Sequence, residues 1–283
     1  MKKDPNIIWM KNPFIEITGS VVKNSYLTGG DINDVYHVIA ENGEFVLKQN
    51  KKPYRGMFAA EAEGLSHLKA NGLSVPEVVA VAENALLLRY YESGAVSPAM
   101  AGKMLGLLHQ KKQDKFGYHQ DNYIGSLRQV NVPEDSWSEF YSKYRIIYQL
   151  NLYRKKNKII ATEQKIWDLL IEKMHKILSH KPNPSLLHGD LWSGNLYYSS
   201  EGPLFIDPAV YYGDSFIELA FTELFGKFPH DFYAAYGEIN SIDPCYQDLK
   251  KLYQIYPLLV HANIFGGSYY SSAFAIAKYY AGD

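Results

Sequence analysis

The chain has 283 residues, 47% of them hydrophobic and 21% charged, and a net charge of -1; this make-up suits one large domain or two modest lobes and excludes a disordered or nucleic-acid-coating chain. Its single cysteine, Cys245, excludes an intramolecular disulfide and a thiolate zinc site and fits a cytoplasmic setting. No stretch approaches the roughly 18 consecutive apolar residues of a membrane span, and Asp4, Pro5 and Lys11 interrupt the start before a signal-peptide core can form.

Residues 14–24 alternate in a way that fits either an entry strand or a helix. Val35, His37 and Ile39 then alternate with Tyr36, Val38 and Ala40, Asn42-Gly43 reads as a hairpin turn, and Phe45 to Lys48 returns. Gly29 and Gly30, just ahead of this hairpin, let the backbone approach a ligand closely, as a phosphate-covering loop requires. Lys48 on the return strand holds the position of a phosphate-binding lysine in kinase folds. Phe58, Ala62, Leu65 and Leu68 form a helical apolar stripe, with Glu61 and Glu63 on other faces, and one of the two glutamates is the candidate partner of Lys48. Gly72, Pro76 and the runs VPEVVAVA and ALLLRYY complete a lobe of about five strands and one helix. Arg89, Tyr90 and Tyr91 close its last strand and lead into a hinge whose main chain can pair with an adenine edge.

The remainder reads as mainly helical. Met100 to His109 is one helix; Trp137, Phe140, Tyr141, Tyr144, Ile147 and Tyr148 form the buried stripe of another, which ends in the basic cluster Tyr153–Lys158. Ile166 to Leu178 is a third, and the stretch Tyr246 to Tyr280 supplies closing helices in which His261 is a packing residue. Ser215 and Glu218 have the spacing of a capping box, with Asp214 as a further cap and a support for the loop upstream.

That loop lies in LLHGDLWSGNLYYSSEGPLFID, Leu186 to Asp207. With a turn at Glu201-Gly202 and pairing symmetric about position 201, Asn195 would lie opposite Asp207. At the Cα separation of such a pair, about 4.5–5.5 Å, an amide oxygen and a carboxylate can share a Mg²⁺ ion. Asp190, five residues before Asn195, would be the base that receives the proton of an acceptor hydroxyl, so the three together have the pattern of a kinase centre using ATP.

The octet HGDLWSGN, with DPAVYYGD and ELAFTELFG after it, resembles the fructosamine kinase (ketosamine-3-kinase) family, and the resemblance extends over nearly the whole chain. Aminoglycoside phosphotransferases and choline kinases share the sparser His-Gly-Asp, Asn, Asp skeleton, and Trp192 is what narrows the match. The resemblance implies a two-lobed, protein-kinase-like α+β fold, with an ATP-binding sheet lobe at 1–91, a mainly helical catalytic and substrate lobe at 92–283, and ATP between them. It assigns the ion-pairing glutamate to Glu61, places Asn122 on a loop bordering the substrate, and sets the Trp192 ring against a sugar. The implied acceptor is the third-carbon hydroxyl of a ketosamine such as ribulosyl- or fructosyl-lysine, free or on a glycated protein, which would make the activity a deglycation repair step. Two departures stand out: Arg89 replaces a more usual acidic residue, and Asp207-Pro208-Ala209 carries a proline whose fixed φ points to constitutive activity. An aminoglycoside acceptor would ask for a strongly acidic cleft and choline for an aromatic cage, which the 24 tyrosines keep open. A pseudokinase binding module usually lacks the lysine or a metal ligand, whereas Lys48, Asp190, Asn195 and Asp207 are all present here.

Overall fold

Period-two alternation builds the expected hairpin in the computed structural model, which describes residues 13–27, 32–52 and 54–282. Strands β2 (Asn33–Ala40) and β3 (Gly43–Asn50) pair from Asn33↔Asn50 to Ala40↔Gly43. The loop is therefore Glu41-Asn42, one position earlier than expected, and Gly43 opens the return strand with φ 137°. Tyr36, Val38, Ala40, Phe45 and Leu47 share the buried face, and Lys48 lies on the other. The ambiguous entry segment is both things in turn, a short helix α1 (Ile15–Thr18) and the edge strand β1 (Val21–Tyr26). With β4 (Val78–Ala82) and β5 (Ala85–Arg89) the sheet runs β1-β2-β3-β5-β4, antiparallel throughout. Helix α2 (Met57–Ala70) buries the whole predicted stripe of Phe58, Ala62, Leu65 and Leu68, each of the larger side chains contributing about 1.5–3 kcal/mol through burial.

The described residues up to Ser97 form one compact unit together with Leu196–Asp207, and Pro98–Asn195 with the residues from Pro208 onward form the other. In the first unit, β9 (Leu196–Ser199) and β10 (Gly202–Phe205) make a hairpin paired from Ser199↔Gly202 to Leu196↔Phe205. Its loop is Ser200-Glu201 and its ladder ends at Leu196, so the expected pairing of Asn195 with Asp207 is not formed. Asn195 instead closes a 3₁₀ turn, Ser193–Asn195. The hairpin is held by hydrogen bonds from Phe205 N–H to Ser74 (2.9 Å), from Gly94 N–H to Tyr198 (2.9 Å) and from Ser200 N–H to Glu92 (2.9 Å).

The second unit is mainly helical, with α3 (Pro98–His109) first. Strands β6 (Asn122–Ile124) and β7 (Leu127–Gln129) form a small hairpin, and β8 (Ser185–Leu187) pairs with β11 (Tyr211–Gly213). Between them, α4 (Trp137–Phe140) and α5 (Tyr148–Arg154) are joined without a break by a π-helical segment, Tyr141–Ile147. A π turn takes up extra backbone and rotates the side chains that follow it. Trp137, Phe140 and Tyr141 are buried as predicted, but beyond them the buried set becomes Ser142, Arg145, Ile146, Gln149 and Leu150. Tyr144, Ile147 and Tyr148 of the predicted stripe are only half-buried. Helices α6 (Ala161–Ile177), α7 (Ser215–Thr222), α8 (His230–Gly237), α9 (Tyr246–Phe265) and α10 (Tyr269–Ala281) complete the unit. Tyrosine hydroxyls supply polar closure inside it: Tyr141 donates to the Leu252 carbonyl at 2.8 Å and Trp137 Nε1 donates to Tyr253 Oη at 2.8 Å. His261 is a packing residue, with Nδ1 2.8 Å from the Pro257 carbonyl and its ring against Phe225. Among the described residues no helix is long and apolar enough to cross a membrane.

Candidate active site

In the sheet unit, β3 aims Lys48 away from the core cluster, and α2 presents Glu61 to it. The ammonium donates to Glu61 Oε1 at 2.5 Å and to Asp207 Oδ1 at 2.8 Å, and the lysine side chain is only 6% exposed. Burial alone would lower the Lys48 pKa; the carboxylates of Asp207 and Glu61 outweigh it and hold the value above that of an ordinary lysine. Asp207 is the one described non-glycine residue with positive φ, 57°, a conformation that costs about 1–2 kcal/mol. Its side chain is 47% exposed, so the carboxylate reaches solvent while bound to Lys48.

The hinge residues are in the same unit. Arg89 pairs with Glu201 at 2.7 Å and lies over the Tyr91 ring, 4.7 Å from its centroid. The Tyr90 N–H donates to the Glu44 carbonyl at 3.1 Å, and the Tyr91 carbonyl accepts from the Tyr197 hydroxyl at 3.0 Å. Tyr90 stacks on His37 with centroids 3.8 Å apart and planes at 13°, a contact the sequence reading did not anticipate. Gly29 and Gly30 lie outside the described residues.

In the helical unit the Asp190 loop is fixed through its backbone. Gly189 has φ 86°, and a Cβ there would come within 1.9 Å of the Ala209 carbonyl oxygen, so the close approach requires glycine. The buried Glu218 carboxylate accepts from His188 N–H at 2.9 Å and Gly189 N–H at 2.6 Å. Its Oε2 is also 3.0 Å from His109 Nε2, and His109 Nδ1 is 2.9 Å from the Tyr236 hydroxyl. Burial alone would raise the Glu218 pKa, but the histidines and the Gly189 amide hold it below the ordinary glutamate value. Glu218 is therefore not the reciprocal half of a capping box with Ser215. The cap of α7 is Asp214, which accepts from Phe216 N–H at 3.0 Å and also bonds His180 and Tyr253. The loop brace expected of Asp214 is supplied by Glu218.

Asn195 Nδ2 donates to the Asp190 backbone carbonyl at 2.7 Å and to Asp190 Oδ2 at 3.2 Å. With its donor end engaged, Asn195 has Oδ1 as the atom to offer a cation, and Asp207 has carboxylate oxygens. These are the hard oxygen donors that suit Mg²⁺. Trp192 is half-buried, edge-on to Phe225 with centroids 6.5 Å apart. Asn122 is 5% exposed; it donates to the Val210 carbonyl at 2.7 Å and accepts from Gln129 and Asn131. Any part it takes on the substrate side acts through the backbone it holds.

The family described as fructosamine kinase matches residues 13–280. A Vibrio vulnificus protein named as a probable ketoamine kinase is 35% identical over 263 residues, which cover 89% of this chain and 90% of its own. A Synechocystis protein of the same name is 37% identical over 263 residues, 89% of this chain and 88% of its own. A crystal structure from Haemophilus somnus, named as a putative fructosamine-3-kinase, is 30% identical with a TM-score of 0.83, covering 92% of this chain and 91% of that one. ADP-bound aminoglycoside phosphotransferase APH(2'')-Ib, at 15% identity and a TM-score of 0.65 over 97% of both chains, shares the fold. The protein-kinase-like α+β fold read from the sequence is thus found, and the chain belongs to the fructosamine kinase family, as a phosphotransferase with an alcohol group as acceptor.

Proposed function

We propose that this chain transfers the γ-phosphoryl group of ATP to the third-carbon hydroxyl of a ketosamine, with ribulosyl- or fructosyl-lysine as acceptor, free or on a glycated protein. The observation that carries the reading is the buried Lys48 ammonium, engaged by two carboxylates at once in a chain of this family. Lys48, oriented by Glu61, binds the nucleotide phosphates. Asp190 accepts the proton of the attacking hydroxyl, whose oxygen forms the new bond to the γ-phosphorus as the bond to the ADP oxygen breaks. Asn195 through Oδ1 and Asp207 through its carboxylate would hold Mg²⁺, which neutralises charge on the phosphates when bound. Trp192 walls the acceptor pocket, and Gly29 and Gly30 cover the phosphates. Pro208 restricts the segment after Asp207, so activity needs no regulatory flip. Support for a ketosamine acceptor comes from the family match and from the names of the relatives.

ATP turnover against ribulosyl-lysine, fructosyl-lysine, kanamycin, choline and a ribulosylated protein tests the acceptor. Turnover confined to kanamycin or choline would overturn it, and turnover on the glycated protein is what a repair role requires. Asp190→Asn is expected to lower turnover by about 10²–10⁴-fold while ATP binding stays nearly intact. A variant that keeps more than half of wild-type turnover would remove Asp190 as the base.

A further inference from the structure

Arg145 is fully buried, at 0% exposure, yet among the described residues no carboxylate is ion-paired with it. Its Nη1 donates to the carbonyls of Val130 (2.7 Å) and Tyr144 (3.2 Å), and its Nη2 donates to Asn131 Oδ1 (2.8 Å). The guanidinium lies over Tyr211, Phe140 and Tyr256, 4.1, 4.6 and 5.3 Å from the ring centroids. Burying such a group without a counter-ion opposes folding, and the π-helical segment is what turns it inward.

The guanidinium has donors only, and this fixes the direction of each hydrogen bond beyond it. Because Asn131 must turn its oxygen to Arg145, its Nδ2 points to Asn122 Oδ1, at 3.0 Å. Asn122 Oδ1 also accepts from Gln129 Nε2 at 2.8 Å, which leaves Asn122 Nδ2 to donate to the Val210 carbonyl at 2.7 Å. Gln129 is oriented from its other end by the Tyr256 hydroxyl, which donates to Oε1 at 2.7 Å, and its Nε2 also reaches the Ala209 carbonyl at 3.0 Å. Burial outweighs the opposing charge of Arg145 and, with smaller contributions from Tyr211 and Asp190, holds the Tyr256 phenol above its ordinary pKa, so it stays a donor. Ala209 in turn donates its N–H to the His188 carbonyl at 2.9 Å, and its own carbonyl is the surface on which Gly189 closes. The donor-only Arg145 at one end and the acceptor-only Ala209 and Val210 carbonyls at the other, with the Tyr256 hydroxyl on Gln129, thus agree on one polarity for three buried amides, and the Ala209 carbonyl they reach lies against Gly189, the neighbour of Asp190.

We propose that Arg145 is a positioning residue for phosphoryl transfer, fixing through Asn131, Asn122 and Gln129 the Ala209–Val210 backbone against which the Asp190 loop is set. The proposal rests on the reading of Asp190 as the base. The test compares Arg145→Met, Arg145→Lys, Asn131→Asp and Asp190→Asn by kcat and KM for ATP and ribulosyl-lysine, at a temperature where circular dichroism shows each variant folded. Arg145→Met frees Asn131 to flip, and Arg145→Lys keeps the charge but loses the fork. Asn131→Asp keeps an acceptor for Arg145 but cannot donate to Asn122, so it breaks the relay while strengthening the contact at its head.

The expected result is a kcat lower by about tenfold or more, the scale of a displaced catalytic group, in Arg145→Met and Asn131→Asp, with both KM values changed less than about threefold. Arg145→Lys should fall between these and wild type. A folded Asn131→Asp or Arg145→Met with kcat within about twofold of wild type, or a change confined to KM, overturns the proposal. If Arg145→Met does not fold, Asn131→Asp decides alone. Asp190→Asn separates the two readings: near-normal turnover there means the base assignment has failed, whereas its loss beside an unchanged Asn131→Asp means only the positioning role has failed.

Discussion

Lys48 is held side chain to side chain, by Glu61 at 2.5 Å and Asp207 at 2.8 Å, whereas the Asp190 loop is held through its backbone by one carboxylate that accepts from two consecutive amides. The first arrangement has redundancy, because the ammonium keeps a partner when either carboxylate is removed. In the second, Asn195 still holds the Asp190 carbonyl and Ala209 the His188 carbonyl, but the contacts that the His188 and Gly189 amides and one nitrogen of His109 make with Glu218 are lost together, all in a buried setting. A buried unpaired polar group costs far more than a made hydrogen bond gains. The two regions should therefore respond very differently to the loss of one glutamate.

The largest effect is expected from Glu218→Ala. Leaving buried donors without their acceptor costs about 1–3 kcal/mol each, and thermal melts should show a drop on the order of 10 °C with turnover falling alongside. The carboxyl is held below its ordinary pKa of 4.5, so its contribution is complete above that value and fades as pH falls through the folded-state value. The stability gap between wild type and Glu218→Gln should accordingly narrow in acid. A gap that widens in acid would mean that the folded protein does not hold this carboxylate ionised.

Glu61→Ala should come second in stability and differ in kind. Asp207 still engages the ammonium, so the melting temperature should fall by less than half of the Glu218→Ala shift, while the KM for ATP rises because the lysine is no longer aimed. An equal or larger stability loss would break the contrast between the two regions. Asp207→Ala sharpens it from the other side, since ATP affinity should fall in saturating Mg²⁺ and change less in its absence. Equal ATP affinity in the variant and wild type with Mg²⁺ present would remove Asp207 as a metal ligand.

The same contrast governs what could be read before the structure. Lys48 and the α2 stripe were legible because a strand period and a helix period each leave a local pattern, whereas that pattern left Glu61 and Glu63 both open and only the family resemblance chose Glu61. Both hairpins were legible, yet both registers slipped by one for the same reason: Gly43 and Gly202 take the first strand position after a two-residue loop, with φ 137° and 111°, where a turn reading puts glycine inside the loop. Glu218 was misread because Ser215-x-x-Glu218 satisfies the capping pattern, while its real partners lie 29 and 30 residues upstream on the loop and 109 residues away at His109. Arg145 left no signal, because an α-helical period turns Tyr144 inward and only the π segment exchanges the two.

The smallest effect concerns the Trp192 ring, and it separates position from presence. A Cβ on Gly194 would come within 2.4 Å of that ring, yet Gly194 is not among the positive-φ glycines, so alanine fits the backbone there and only the indole must move. If Trp192 walls the acceptor pocket, Trp192→Ala should lower kcat/KM for ribulosyl-lysine more than tenfold, about 1.4 kcal/mol. Gly194→Ala, which keeps the ring but shifts it, should lower the same quantity by on the order of threefold, with ATP kinetics and melting temperature little changed in both variants. If the ring serves only to pack against Phe225, Trp192→Ala should lose stability, by up to about 3–5 kcal/mol for a large aromatic, and Gly194→Ala should leave acceptor kinetics untouched. A Gly194→Ala enzyme with wild-type kinetics beside a stable but acceptor-impaired Trp192→Ala would mean that the pocket tolerates the ring at either position and needs its surface more than its placement.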